Sequence, residues 1–331
     1  MSFVVNGADW DFNGLTPDQA RDLIDRALEF IETSRQRGEE VAVGDDFQTR
    51  LMHGEANLWD LFGKEAAFSL PNELSWELAA WLSRAPRYAN SEVWPDGFGD
   101  GQITIGEACP LDNLDVAWAH CATRGGQPTA CLTLGDARIA VTTMGTNVTD
   151  VHFVIDENSR TAFWRAAIIL TGDSLGTLLR YAPHAYPALH FIDGVLNDAG
   201  RLAGGYSASR QRIQVTLATL NDWGHWVFTW PPPALMPGEA TPINTDKLPT
   251  NQIIEHRFAG LHLDAAPENP DVRTRTGPRK AREATLAGRT LYCEWHIKLE
   301  GHRNRVHFHG PVPESDDKVV IGMIHEHLPL I

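Results

Sequence analysis

The beginning of the chain, residues 1–90, has apolar positions at helical spacing. The most regular stretch follows Thr16-Pro17-Asp18, a helix-start sequence in which the hydroxyl caps free N–H groups and the proline fits the first turn. Its apolar residues recur every three or four positions: Ala20, Leu23, Ile24, Ala27, Leu28 and Ile31. This spacing predicts a helix that ends near Gly38, and it predicts further helices at 48–61 and 72–83.

The middle of the chain, residues 91–230, mixes two periodicities. Residues 137–144 and 151–155 are short β-branched runs separated by a Gly-Thr-Asn turn sequence, which indicates a β-hairpin. Residues 158–170, which begin with the capping types Asn and Ser, and residues 207–223 have helical spacing. A mixed helix-and-strand region is therefore expected.

Residues 172–176, Gly-Asp-Ser-Leu-Gly, match the pattern G-x-S-x-G. In α/β-hydrolases the serine of this pattern is a nucleophile on a sharp turn between a strand and a helix. We favour a different interpretation, because the apolar residues before the motif continue one helix and Gly172 fits the end of that helix.

Residues 231–288 are expected to connect this region to the end of the chain. Residues 230–242 contain five prolines, which excludes regular structure there. Residues 263–285 are polar, with a cluster of basic side chains, and are interpreted as an exposed linker. Four parts are thus predicted: a helical region 1–90, a mixed region 91–230, a linker 231–288 and a C-terminal unit 289–331.

Composition and charge narrow the class of protein. The 331 residues are 43% hydrophobic, which is enough for a large core, and the net charge is −15. Residues 271–331 are weakly basic, with ten Lys/Arg against eight Asp/Glu. A strong nonspecific nucleic-acid binder would carry a larger basic patch. The four cysteines form no C-x-x-C pair, and no leader or membrane-spanning pattern is present, so a cytoplasmic protein without membrane attachment is expected.

The clearest alternation of apolar and polar residues lies in the last 43 residues, 289–331. Residues 291–299 (LYCEWHIKL) and 305–309 (RVHFH) alternate as half-buried strands do, and 319–324 (VVIGMI) is apolar on both faces. A small antiparallel three-stranded unit is predicted, and the fold class is therefore α+β. This short stretch also contains six of the 14 histidines.

The same alternation places ionisable side chains on one face of the predicted unit: Glu294, His296, Lys298, Arg305, His307 and His309. Cleavage of RNA through the 2′-hydroxyl requires a base, an acid and a cation beside the phosphate. Glu294 or a histidine could accept the proton, and Arg305 and Lys298 could hold the phosphate. His307 or His309 could protonate the leaving oxygen, and no metal is then required.

The sequence R-V-H-F-H, a short turn and V-V-I-G-M-I-H-E-H-L resembles the closing strands of RelE/HigB-type toxins. These are small ribonucleases of bacterial toxin–antitoxin systems, and the same ending is similar to endings of uncharacterised bacterial proteins. The resemblance implies a toxin-like or defence-associated ribonuclease module, carried by an acidic body, that acts on RNA and has a protein partner.

Two alternatives stay open at this point. His307/His309 and His325/His327 are two H-x-H pairs, similar to cupin-type sites, which could hold a divalent transition metal together with a carboxylate. Alternatively, the basic face docks on an acidic surface, and the chain is a non-catalytic scaffold or partner-binding subunit of a bacterial defence complex.

Overall fold

A computed structural model of the chain describes residues 2–63, 68–99, 101–230, 248–301, 303–326 and 328. It divides the chain into two compact units, Met1–Thr171 (unit 1) and Gly172–Ile331 (unit 2). Both units combine helices with sheets, which confirms the predicted α+β class. This division differs from the four segments expected from composition, because the main sheet of unit 1 draws its strands from both sides of residue 90.

The helices described in unit 1 are α1 (Pro17–Gln36), α2 (Asn72–Leu82), α3 (Leu114–Arg124) and α4 (Glu157–Leu170). Its strands are β1 (Phe3–Val5), β2 (Val41–Ala42), β3 (Leu51–His53), β4 (Ala56–Asn57), β5 (Gln102–Ile105), β6 (Leu111–Asp112), β7 (Ala130–Leu132), β8 (Arg138–Met144) and β9 (Asn147–Val154).

The main sheet of unit 1 has the strand order β2-β1-β7-β9-β8-β5-β6. Strands β2, β1, β7 and β9 are parallel, and the remaining pairs are antiparallel. The ring of Phe3 packs on Phe30 of α1 and Phe163 of α4, with centroids 5.0 and 5.5 Å apart. Val4 packs with Trp118 of α3. Helices therefore cover both faces of β1, which explains why this parallel strand is apolar throughout.

The structure confirms part of the expected helical start. Helix α1 begins after Thr16, whose side chain accepts a hydrogen bond from the backbone N–H of Gln19, and α2 matches the helix predicted at 72–83. The helix predicted at 48–61 is wrong, because this segment forms β3, β4 and one 3-10 turn. Strands β1 and β2 were not predicted either, since two or three residues are too few to show an alternation.

The hairpin and the helix predicted next along the chain are both present. Strands β8 and β9 form the hairpin, and α4 occupies the helical run that follows. The predicted cap at Asn158 or Ser159 is wrong. Asp156 caps α4, because its Oδ1 accepts from the backbone N–H of Ser159 over 2.8 Å.

The helices described in unit 2 are α5 (Leu175–Ala185), α6 (Gly205–Val227), α7 (Asn251–Gly260), α8 (Pro270–Thr274) and α9 (Thr276–Lys280). Its strands are β10 (Leu189–Phe191), β11 (Ala265–Pro267), β12 (Glu283–Leu286), β13 (Arg289–Tyr292), β14 (Trp295–Lys298), β15 (Arg305–His309) and β16 (Val319–His325). Helix α6 confirms the helix predicted at 207–223.

The main sheet of unit 2 has five strands, in the order β10-β16-β15-β14-β11. The predicted number of three is wrong, because β10 and β11 come from earlier in the chain and add one strand to each edge. The run 291–299 is also divided: β13 pairs with β12, whereas β14 pairs with β15. Trp295 of β14 and Phe308 of β15 pack with Phe228 and Phe258 on the buried face of this sheet.

Residues 263–285 are not an exposed linker, which corrects the sequence-based interpretation. They form β11, α8, α9 and the beginning of β12, and they contribute two buried ionisable residues, Glu268 and Arg282. The polar composition misled because these two side chains pair with each other inside the unit. The proline-rich residues 231–242 lie outside the described part of the chain.

The motif at 172–176 has the structure that we favoured. Helix α4 precedes it, Gly172 has a φ of 106°, and Ser174 is the N-cap of α5, with its Oγ accepting from the backbone N–H of Thr177 over 3.2 Å. The serine is thus engaged as a helix cap and does not follow a strand. Among the helices of the described ranges, none is both long and apolar enough to cross a membrane.

Candidate metal centre

The pairing of β14 with β15 brings four of the predicted site residues together. His296 lies directly opposite His307, and Lys298 lies directly opposite Arg305. Their side chains share one face of the sheet because side chains alternate along a strand, and Trp295 and Phe308 accordingly occupy the opposite, buried face.

A fifth residue, Glu268, joins this face from the other neighbour of β14. Ala266 of β11 is opposite His296, and the backbone N–H of Glu268 donates to the carbonyl of Glu294 over 2.8 Å. Glu268 therefore lies two positions beyond Ala266 on the same side. Sequence analysis missed Glu268, because it follows a three-residue edge strand in a segment interpreted as a linker. The one sequence signal for it is an acidic residue just after a short apolar run.

The ligand atoms of Glu268, His296 and His307 all lie within 4.8 Å of one another. Oε1 of Glu268 is 3.4 Å from Nδ1 of His296 and 3.6 Å from Nδ1 of His307. Two ligands bound at about 2.0–2.1 Å to a tetrahedral ion are about 3.3–3.4 Å apart. The carboxylate of Glu268 is thus close to ligand spacing from both imidazoles, and the three groups together could hold one ion.

His307 is fully buried and the side chain of His296 is 12% exposed, and three of their four ring nitrogens have no hydrogen-bond partner among the described residues. His307 is 0% exposed, and neither of its nitrogens has a hydrogen-bond partner among the described residues. Nδ1 of His296 also lacks one in this part of the chain. Burial lowers the pKa of His296 and lowers that of His307 well below its usual value, so both rings are neutral near pH 7. Neutral imidazole is the form that binds metal ions.

Glu268 is held in place by a buried cation. Nε of Arg282, a residue that is 0% exposed, lies 2.9 Å from Oε1 of Glu268, and the Nη1 atom of Arg282 donates to the carbonyl of Pro278 over 2.8 Å. The nearby hydroxyl of Tyr292 is buried without a hydrogen-bond partner in the described structure. Burial first, and then the charge of Glu268, raise the pKa of this hydroxyl.

A pocket of about 420 Å³ opens next to this cluster. Glu268, His296, Lys298 and Arg305 line it, and Glu255 of α7 lies on its wall. His307 does not line the pocket; it is fully buried on the neighbouring strand, opposite His296. Two of the three candidate ligands are therefore accessible from the pocket.

The other predicted site residues lie elsewhere. Glu294 does not line the pocket. Its carboxylate forms an ion pair with Arg273 and accepts a hydrogen bond from the side-chain amide of Asn251 over 3.0 Å. Nδ1 of His309 is 2.7 Å from the carbonyl oxygen of Gly310.

Of the two predicted H-x-H pairs, the structure describes His307, His309 and His325. Arg305, at the start of β15, is the residue opposite His325, whereas His309 lies at the far end of the same strand, opposite Val320. His327 lies outside the described residues. The described residue that groups with His307 as a possible second histidine ligand is therefore His296, and not His309. No protein-family model, curated protein or solved structure matches this chain.

Proposed function

We propose that unit 2 is a metal-dependent hydrolase whose ion is held by Glu268, His296 and His307. The observation that carries this proposal is the group of three ligand atoms within 4.8 Å, in which both nitrogens of the fully buried His307 have no hydrogen-bond partner in the described part of the chain. Buried polar groups are nearly always satisfied, so such an arrangement points to a missing partner. Two histidines and one carboxylate are a common ligand set for catalytic zinc and non-haem iron.

The surroundings of the three residues support a catalytic role over a purely structural one. A divalent ion in such a site polarises a substrate oxygen and makes water a nucleophile near neutral pH. Arg282 orients the carboxylate of Glu268, as the partners of metal ligands usually do. Glu268 and His296 line the pocket, so a substrate there lies beside the ligands.

A metal-independent ribonuclease stays a prediction, as do the protein partner and the cytoplasmic location. Glu294, which alongside a histidine is a candidate general base for it, is engaged by Arg273 and Asn251 and does not line the pocket. RNA cleavage is compatible with the metal-dependent mechanism, and we include RNA among the substrates to be tested.

Metal titration tests the proposal directly. The full chain, stripped with chelator and titrated with Zn²⁺ or Co²⁺, is expected to bind one ion per chain, and the cobalt form should show the visible absorption of a tetrahedral site. His307→Ala should abolish this binding. His309→Ala is the matched control, because it removes a histidine from the same strand outside the cluster, and it should bind as the wild type does.

Stability provides a second measure in the same samples. A ligand that binds only the folded state adds about 2.7 kcal/mol at a concentration one hundred times its dissociation constant. The wild type and His309→Ala should be stabilised by the metal, and His307→Ala should not. Equal metal binding by the wild type and His307→Ala, or no binding by either, would refute the proposed centre.

A further inference from the structure

The pocket beside the candidate metal centre has a basic side that the proposed ligands do not use. Lys298 and Arg305 are directly opposite each other on β14 and β15, and both line the pocket together with His296. The register of the sheet therefore places two cationic side chains next to one of the ligands.

Among the residues that the structure describes, Arg305 has fewer partners than such a side chain normally has. Its Nε is buried and has no hydrogen-bond acceptor, and no carboxylate lies within 4.0 Å of it, in the described part of the chain. In the described ranges Lys298 pairs with Asp264 alone, over 3.3 Å, and the side chain of Asp264 is 67% exposed. An exposed pair of this kind is weak and is easily displaced. The donors of Arg305 and Lys298 are thus available to a ligand in the pocket.

The charges in and beneath the pocket favour an anion once an ion is bound. Three basic side chains are balanced by three carboxylates: Lys298, Arg305 and Arg282 against Glu255, Asp264 and Glu268. A divalent ion makes this region net positive. The volume of about 420 Å³ is in the range of small-molecule sites and accommodates a ligand the size of a nucleotide.

We propose that this pocket binds the phosphate group of a phosphate-ester substrate through Arg305 and Lys298, beside the centre formed by Glu268, His296 and His307. The cleavage of the ester rests on the proposed function, whereas the binding of the phosphate group does not. The guanidinium of Arg305 presents two parallel N–H groups to a phosphate, and the ammonium of Lys298 adds a point charge. The scissile ester then lies on the side of the pocket where His296 and Glu268 are.

Calorimetric titration of the full chain, metal-free and zinc-loaded, tests the inference. The probes are adenosine monophosphate, the dinucleotide ApA and the dicarboxylate succinate. Arg305→Gln removes the proposed fork, and Arg305→Lys keeps its charge. Arg303→Gln is the matched control, because Arg303 is exposed and does not line the pocket.

The wild type is expected to bind a phosphate ester, more tightly when loaded with zinc. Arg305→Gln should weaken this binding at least tenfold, Arg305→Lys by less, and Arg303→Gln should have no effect. Tighter binding of the monophosphate indicates a monoester substrate, and tighter binding of ApA indicates a diester. Equal binding of succinate, an equal effect of both glutamine variants, or no phosphate binding in either form would overturn the inference.

The two proposals can fail separately. If phosphate binds to a chain that takes up no metal, the anion site is supported and the metal centre is refuted. If the metal binds and phosphate does not, the metal centre is supported and the anion site is refuted. Circular dichroism of Arg305→Gln should match the wild type, and the Arg305→Lys titration decides the matter if Arg305→Gln does not fold.

Discussion

The pair formed by Glu268 and Arg282 allows a quantitative prediction about unit 2. Its atoms are 2.9 Å apart, Arg282 is 0% exposed and Glu268 is 5% exposed. In Glu268→Gln the guanidinium remains charged, since Arg does not lose its proton in proteins, and it is left in a buried site without a counter-charge. Removing one partner of a buried ion pair costs about 3–5 kcal/mol, a large part of the free energy of unfolding of an ordinary domain.

The exposed pair Arg279–Glu283 is the matched control within the same unit. Its atoms are 3.4 Å apart, and its side chains are 59% and 29% exposed. Glu283→Gln should therefore cost less than about 1 kcal/mol. The double variant Glu268→Gln/Arg282→Met should recover part of the stability lost in Glu268→Gln, because it no longer buries an unpaired charge.

The assay is urea unfolding in the presence of chelator. It is monitored by hydrogen exchange of peptides that cover β14 and β15, so that it reports on unit 2 alone. With a slope of about 2 kcal/mol per molar urea, Glu268→Gln should lower the midpoint by about 2 M. If Glu268→Gln loses no more stability than Glu283→Gln, the buried pair does not carry the energy assigned to it. A double variant as unstable as Glu268→Gln would contradict the unpaired-charge explanation.

Three further predictions concern other parts of the chain. Burial raises the pKa of Asp115 from 3.8 to about 6 in the folded state, so its contribution to stability is complete below about pH 4 and is lost as the pH rises through about 6. Relative to Asp115→Asn, the wild type should lose about 2 kcal/mol of unfolding free energy between pH 4 and 7.5, and a difference independent of pH would contradict the shift. Ser174→Ala removes the cap of α5 and should cost about 1 kcal/mol in urea unfolding while leaving the proposed hydrolytic activity unchanged; a selective loss of that activity would argue for a nucleophilic serine instead. Gly322→Ala would place its Cβ against Sγ of Cys293 and should lower the free energy of unfolding by about 1–3 kcal/mol. Adding Cys293→Ala to the same chain should restore part of this loss. Strictly additive effects of the two substitutions in urea unfolding would show that the side chains do not touch.

Much of the local structure could be predicted from the chain alone. Thr16-Pro17 marked the start of α1, and the β-branched runs marked the β8–β9 hairpin. The alternation in 291–299 and 305–309 correctly separated the apolar side of the sheet, with Trp295, from its ionisable side. Such signals are readable because each depends on residues a few positions apart.

The strands that complete the sheets could not be predicted in this way. Strands β1, β10 and β11 have three residues each, and they are strands because distant segments pair with them. A run of three residues has too few positions to show a period, so the pairing that stabilises it leaves no local pattern.

The candidate site shows the same limit. Sequence alternation by itself determined that His296, Lys298, Arg305 and His307 share a face, because alternation is a property of each strand. Only the tertiary structure decided that His307 pairs with His296, and that Glu268, the residue after β11, joins them. The register between strands is set by packing over the whole sheet, and a polar segment such as 263–285 can be buried wherever its charges find partners there.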